Sequence, residues 1–395
     1  MASPSRFFTQ KVDPSLLATN QAVAFRDYGR PADVLRLVNR PIQNFGDDKI
    51  LVRILAAPIN PADINQIEGV YPAKPPFEPE IGAVAGNEGV AEIVAIGRNI
   101  QGQGNHQVGN LVLPLYRSFG TWQSYAAVGP NDIYSFAPRK KVPILGVASM
   151  AINPSTAYRM LNDFVSLMPG DYVIQSGATS AVGQAVIQLC KIWGYKTINI
   201  IRDRPDLDTT INHLKSLGAD VILTAEQMGT ADTRQYLKAL GSPIKLGLDC
   251  TAGKVASEIA RALGPGAPLV IYGGMSRKPL LFPVSLFIFK DIQVRGFWMN
   301  RWYQHCPHLE RQTMWEDLMH YMEKGELQPP KFNTIPWVTS TPTSSSASSS
   351  STSSLSGTDG EGLLKAIRTA INGPDGGAPG TPKKNILIMD SDYIN

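Results

Sequence analysis

The chain has 395 residues, 43% of them hydrophobic, which is enough to bury sizeable cores in two or three globular domains. Its formal net charge of +4 is carried by scattered residues and implies neither a nucleic-acid partner nor a membrane surface. No apolar run approaches the roughly 18 residues of a spanning helix. The three cysteines are too few and too separated for a disulfide framework or a zinc cluster, which suits a reducing compartment.

The N-terminal stretch MASPSRFFTQK carries no acid before Asp13. It is compatible with the remnant of an organellar transit peptide, although on its residues alone it reads as a disordered tail. From residue 21 to about 138, short apolar runs at 22–25, 49–57, 89–97, 111–113 and 120–128 are separated by Gly, Pro, Asn and Asp. That spacing predicts a mostly antiparallel, barrel-like β domain. Between its first strands lie the stretch NPADINQIEGVYP, from Asn60 to Pro72, and then Gly86-Asn87-Glu88-Gly89. A helix is expected over 154–164, with Ala157, Tyr158, Leu161 and Phe164 on one face.

Residues 171–204 then read as strand, turn, helix, strand and a basic end. Tyr172, Val173 and Ile174 follow the turn signal Pro169-Gly170-Asp171, and after Gly183 the apolar period changes, with Val182, Ala185, Val186, Leu189 and Trp193 at helical spacing. The intervening small residues, Gly177 to Gly183, would let backbone N–H groups and a helix N-terminus approach a pyrophosphate. The G-x-G-x-x-G pattern is only partly met, because Ser180 stands at a glycine position, and a buried strand-turn-helix that binds nothing is the alternative. The second strand, 197–201, ends where NAD-binding folds usually carry an acid for the ribose hydroxyls. Here stand Arg202, Asp203 and Arg204. Two guanidinium forks suit a 2′-phosphate and favour NADPH over NADH, with a solvated loop pair as the alternative.

Strands at 219–223, 246–250, 268–272 and 292–297 alternate with helices around 233–240 and 255–263, which predicts a six-stranded doubly wound parallel sheet. Gly273 and Gly274 follow its fifth strand, at the edge where such sheets place ligands. A further helix is expected over 315–324 and β structure over 335–338. Residues 340–356 are almost entirely Ser and Thr and read as a surface insertion. A last helix at 361–371, a loose segment at 373–382 and a terminal strand at 385–389 complete the chain. Cys190 and Cys250 read as packing residues.

A β domain preceding a dinucleotide-type unit, with NPADINQIEGVYP, a G-N-E-G element and INIIRDRPD, resembles the medium-chain dehydrogenase/reductase superfamily. Over nearly the whole chain outside the Ser-rich insertion it is similar to the zinc-free mitochondrial 2-enoyl thioester reductase branch. The resemblance implies an α/β architecture. A GroES-like, mostly β catalytic domain would span 1–151 and return at 304–395, around a Rossmann-type NADP-binding domain at 152–303.

Zinc alcohol dehydrogenases of the superfamily carry a His where this chain has Asn87, and a Cys ligand upstream, whereas no cysteine here precedes Cys190. No metal site is expected, so protein donors must polarise the substrate, which favours reduction of an activated C=C bond. The resemblance assigns Tyr71 as proton donor; read by itself, Tyr71 could be a half-buried residue at a turn. It further implies that Asn153 contacts the nicotinamide end of NADPH and that Thr179, Ser180, Ala181, Val182 and Gly183 meet the pyrophosphate. Arg202, Asp203 and Arg204 would meet the adenosine phosphate. Tyr272, Gly273, Gly274, Met275, Phe297, Trp298 and Met299 would line the nicotinamide, while Lys384 would close on the cofactor. For Trp298, interface packing is an equal alternative.

The activity so implied is NADPH-dependent reduction of the C2=C3 bond of trans-2-enoyl thioesters on CoA or acyl carrier protein, in a homodimer of the mitochondrial matrix serving fatty acid synthesis. A zinc-free quinone reductase and a catalytically silent cofactor-binding protein are the competing readings.

Overall fold

In a computed structural model, 20–42, 45–116, 118–337, 359–372 and 383–390 are the described residues. The N-terminal tail, the Ser-rich 340–356 and the segment 373–382 lie outside them. Two compact units divide at Lys140/Lys141, with the chain returning to the first at Asn333 and at Asn385. The sequence placed these divisions at 151/152 and 303/304.

The difference at the second division has a local cause. The helix His308–Glu323 extends two turns further back than the expected 315–324 and buries Met314, Trp315, Leu318, Met319 and Met322. Trp315 Nε1 donates to Ser155 Oγ at 3.2 Å, Tyr158 donates its hydroxyl to Asp317 at 2.8 Å, and Trp193 Nε1 donates to Tyr321 at 3.1 Å. These polar pins add direction to the apolar contact and hold the helix to the second unit.

The first unit is built on the strand Ile50–Pro58, whose run ILVRILAAP is buried at every position except Arg53. It pairs with three neighbours, Val90–Ile96, Tyr125–Val128 and Lys384–Ile388, all antiparallel, and its near-continuous apolar run fits burial on both faces. Arg53, the one charge in the run, is met by Glu92 at 2.6 Å and Asp390 at 2.7 Å. The resulting seven-stranded sheet and a three-stranded sheet led by Gln21–Phe25 enclose Phe25, Ile54, Ile93 and Trp122.

In the second unit six parallel strands take the order Val221–Thr224, Lys196–Ile201, Tyr172–Gln175, Ile244–Asp249, Pro268–Ile271, Gln293–Gly296. This is the doubly wound sheet expected from the sequence. Tyr172–Gln175, the first of these strands in the chain, lies at the centre and is paired on both sides. Its neighbours run parallel, so all the strands end on one edge. The helix Leu207–Leu217, absent from the sequence reading, buries Thr210, Leu214 and Leu217 and closes with Gly218 in the left-handed region. Its short apolar stripe is hidden among polar and charged residues, which weakens the periodic signal. Three shorter helices, Ile144–Ala148, Val284–Lys290 and Met299–His305, are likewise additions. Among the described residues no helix is long and apolar enough to cross a membrane.

Candidate functional site

The strand Tyr172–Gln175 passes through Ser176 to Ser180 into the helix Ala181–Trp193. Gly177 has φ +61°, and a Cβ there would stand 2.5 Å from Cys250 Sγ. Gly183 lies against the turn itself, with only 2.6 Å between a would-be Cβ and Gly177 O. The glycine pair thus draws the helix onto the turn, the same close approach that lets a backbone meet a diphosphate. Ser180 caps the helix by accepting the Gly183 N–H at 3.1 Å, and Gln184 Nε2 ties back to Thr179 O at 2.9 Å. The serine therefore does at the helix start what a glycine would not. Ser180 is exposed and Thr179, Ala181 and Val182 are half-buried, so the rim of the turn is open while Gly183 is buried.

Beneath the turn is a polar group that sequence reasoning missed. Ser176 Oγ donates to Asp249 Oδ1 at 2.6 Å, and Asp249 also accepts Thr251 Oγ1 at 2.9 Å and the Ala252 N–H at 2.8 Å. Asp249 is fully buried at the end of its strand and joins the turn after one strand to the turn after the next. The visible signal was a single acid closing the apolar run Ile244–Asp249. Burial pushes the Cys250 thiol up, and pushes the Tyr272 hydroxyl well above the ordinary phenol range, with Cys250 adding to the latter. Both groups keep their protons. The Tyr272 hydroxyl is buried, with Cys250 and Ser180 as its polar neighbours.

The sequence-predicted residues at 202–204, 272–275 and 297–299 follow strands on the same sheet edge. Arg202, Asp203 and Arg204 follow Lys196–Ile201; Arg202 is exposed, Arg204 half-buried, and Asp203 Oδ1 accepts the Arg204 N–H at 2.9 Å. Tyr272, Gly273, Gly274 and Met275 follow Pro268–Ile271, with the Tyr272 N–H on Asp249 O and the Met275 N–H on Cys250 O, each at 2.9 Å. Phe297, Trp298 and Met299 follow Gln293–Gly296. Phe297 is half-buried, edge-on to Phe164 at 6.0 Å, Trp298 is half-buried, and Met299 is buried. Asn153 is buried at the start of the helix Asn153–Asp163, and Lys384 donates its N–H to Lys331 O at 2.8 Å.

Tyr71 belongs to the first unit. Its N–H and that of Val70 both reach Asn65 O at 3.0 Å, closing the chain after the helix Pro61–Ile67. Asp63 is buried on that helix; its Oδ2 accepts the Asn60 N–H at 2.8 Å and its Oδ1 accepts Asn87 Nδ2 at 2.7 Å. Asn87 Nδ2 also donates to Gln66 Oε1 at 3.0 Å, and Asn87 Oδ1 accepts the Ser118 N–H at 2.8 Å. Gln66 Nε2 continues to Ala73 O at 3.0 Å and Ser118 Oγ at 2.8 Å. A side-chain network thus fastens both ends of the Tyr71 segment to the G-N-E-G element, with Asn87 at its hub. Asn87→Ala is expected to cost about 1 to 3 kcal/mol, since Ser118 N–H and Gln66 Oε1 each lose an acceptor or donor beside a buried carboxylate; thermal unfolding would measure it.

The sequence matches the family described as zinc-binding dehydrogenase over 181–319 and the alcohol dehydrogenase GroES-like domain over 46–138. It is 40% identical over 316 residues to the mitochondrial enoyl-acyl-carrier-protein reductase of Rattus norvegicus, an alignment covering 80% of this chain and 82% of that protein. The mitochondrial 2-enoyl thioester reductase Etr1p/Etr2p heterodimer from Candida tropicalis superposes with TM-score 0.81 at 31% identity, over 94% of this chain and 100% of that one. An Etr1p/NADP/crotonyl-CoA complex superposes with TM-score 0.79 at 30% identity, over 94% and 99% of the two chains. The chain belongs to the mitochondrial enoyl-acyl-carrier-protein reductase family, within the medium-chain dehydrogenase/reductase superfamily.

Proposed function

We propose that the protein is a mitochondrial enzyme that reduces the C2=C3 bond of trans-2-enoyl thioesters, carried on CoA or acyl carrier protein, with NADPH. The observation that carries this reading is the likeness, over most of both chains, to enoyl thioester reductases, one of them named as a complex with NADP and crotonyl-CoA. The open rim at Thr179, Ser180, Ala181 and Val182, packed against Gly177 and Gly183, suits a diphosphate, and Arg202 and Arg204 suit a 2′-phosphate. Asn153, the 272–275 turn, the 297–299 turn and Lys384 complete the set assigned to the cofactor.

When bound, NADPH supplies a hydride for the β-carbon of the substrate. Electron density then moves through the α-carbon to the thioester carbonyl, and the Tyr71 hydroxyl donates to the developing enolate and delivers a proton. The Asp63–Asn87–Gln66 network holds the segment that carries this hydroxyl, so that its position is fixed before charge develops.

Initial rates with crotonyl-CoA and with a quinone, each with NADPH and NADH, test the reading. NADPH-dependent reduction of crotonyl-CoA is expected. Quinone turnover without enoyl turnover would establish a quinone reductase, and no turnover with either acceptor a silent binding protein.

Two copies are proposed to pair through the edge strand Gln293–Gly296, which among the described residues pairs only with Pro268–Ile271. The adjoining helix Val284–Lys290 exposes Phe287, Ile288 at 67% and Phe289 at 81%, an apolar patch at an open sheet edge. Phe289→Glu is expected to shift sedimentation from dimer to monomer. An unchanged dimer would remove this surface from the interface.

A further inference from the structure

The helix Ala181–Trp193 buries two glutamines one turn apart, Gln184 and Gln188. Gln188 turns both ends of its amide to one residue, accepting the Gln328 N–H at 2.8 Å and donating to Gln328 O at 3.1 Å, which clasps that segment to the helix. Gln184 is placed differently. Its Nε2 donates to Thr179 O at 2.9 Å, in the turn assigned to the diphosphate, and its Oε1 lies 3.2 Å from His213 Nε2 on the next helix, Leu207–Leu217.

The Thr179 carbonyl shares its peptide plane with the Ser180 N–H, which donates to Gly177 O at 2.9 Å. That plane is therefore held at both ends, and it sets the direction in which the helix begins. Ser180 takes the Gly183 N–H on its side chain at 3.1 Å and the Gln184 N–H on its carbonyl at 2.9 Å. The two N–H groups before these, of Ala181 and Val182, have no intrahelical acceptor and are the donors that a diphosphate would meet. Thr179 O only accepts, so the Gln184 atom facing it is Nε2, Oε1 is left as an acceptor, and His213 Nε2 must carry the hydrogen between them. Burial, and after it the charge of Lys331, hold the imidazole below its ordinary range, so near neutral pH the ring is uncharged and this is its single N–H. Without that donor the amide would be held at one end only, free to turn Nε2 away from Thr179 O.

We infer that His213 is a positioning residue for the cofactor's diphosphate, acting through Gln184 on the turn at Thr179. The inference rests on the NADPH reading and deepens it. NADPH and NADH share the diphosphate, so the brace serves both alike, in contrast to Arg202 and Arg204, which are assigned to the 2′-phosphate alone. The diphosphate lies away from the reacting carbons and is held equally before and during hydride transfer, so losing the brace acts on the cofactor's Kd and KM rather than on kcat.

The test compares the full chain with its His213→Met and His213→Gln variants, two side chains of equal length of which only the second can donate. His213 is half-buried, so both should be accommodated. Binding of NADPH and NADH to the parent, followed by fluorescence, comes first and tests the cofactor reading separately; failure to bind either would overturn both. In His213→Met the Kd for both dinucleotides is expected to rise about three- to tenfold, the scale of one hydrogen bond, while that of competing 2′-AMP, which has no diphosphate, holds. His213→Gln should return both to within about twofold of the parent. Unchanged dinucleotide affinity in His213→Met would overturn the assignment and leave the cofactor reading standing. An equal loss for 2′-AMP, or no recovery in His213→Gln, would mean that the ring only packs its helix, and would overturn it too. Heteronuclear NMR of the imidazole in the free parent should show the neutral ring protonated at Nε2; a proton on Nδ1 would overturn the assignment without any variant.

Discussion

Tyr71→Phe is expected to lower kcat for enoyl thioesters by about 10²- to 10⁴-fold, the usual effect of losing a positioned acid, with little change in NADPH affinity. As the proposed proton donor, the hydroxyl would interact most strongly as charge gathers on the carbonyl oxygen, so the loss should fall on kcat more than on KM. Removing one oxygen leaves the backbone bonds from Val70 and Tyr71 to Asn65 and the side-chain network on Asn87 intact, so the fold should be retained. Steady-state rates with crotonyl-CoA, together with NADPH binding by fluorescence, check the expectation. Turnover within about threefold of the parent would show that the proton comes from another group.

Replacing Arg202 and Arg204 together with Gln is expected to weaken NADPH binding by about 2 to 4 kcal/mol while sparing NADH, the scale of two charge-assisted contacts. Asp203 lies between them, and an acid pointing at the same phosphate would oppose the cations. Its Oδ1 instead accepts the Arg204 N–H at 2.9 Å, which occupies the carboxylate locally. Titration of both cofactors against the double variant separates phosphate reading from general loss of the loop. Equal weakening of the two would mean that the arginines do not distinguish them.

The cofactor-type unit was legible because its signals are local. A turn of small residues between an apolar strand and an amphipathic helix is written within 171–204, and a parallel sheet follows from the alternation after it. The network around Asn87 could not be read this way. Asp63 and Gln66 share one helix, but Asn87 is 24 residues beyond Asp63 and Ser118 is 31 beyond Asn87, and only folding makes them neighbours. Asp249 was hidden for the same reason, since its partner Ser176 lies 73 residues earlier. The helix His308–Glu323 was shortened in the sequence reading because its first two turns, His308 to Thr313, offer mostly polar residues; Arg311 is buried there by donating to Tyr303 O at 2.6 Å.

The position of Asn87 also bears on how such a protein could change its chemistry. In the zinc enzymes of the superfamily a histidine occupies the equivalent place, so Asn87→His looks like a one-residue step toward a metalloenzyme. Here that step carries an immediate structural cost. It removes an amide that serves Asp63, Gln66 and Ser118 together, and among the described residues no three side chains of His, Cys, Asp or Glu are grouped so as to hold an ion. The segment carrying Tyr71 would lose its tie to the G-N-E-G element at once. A residue that braces three partners at once makes its position costly to change, whatever the new side chain could offer.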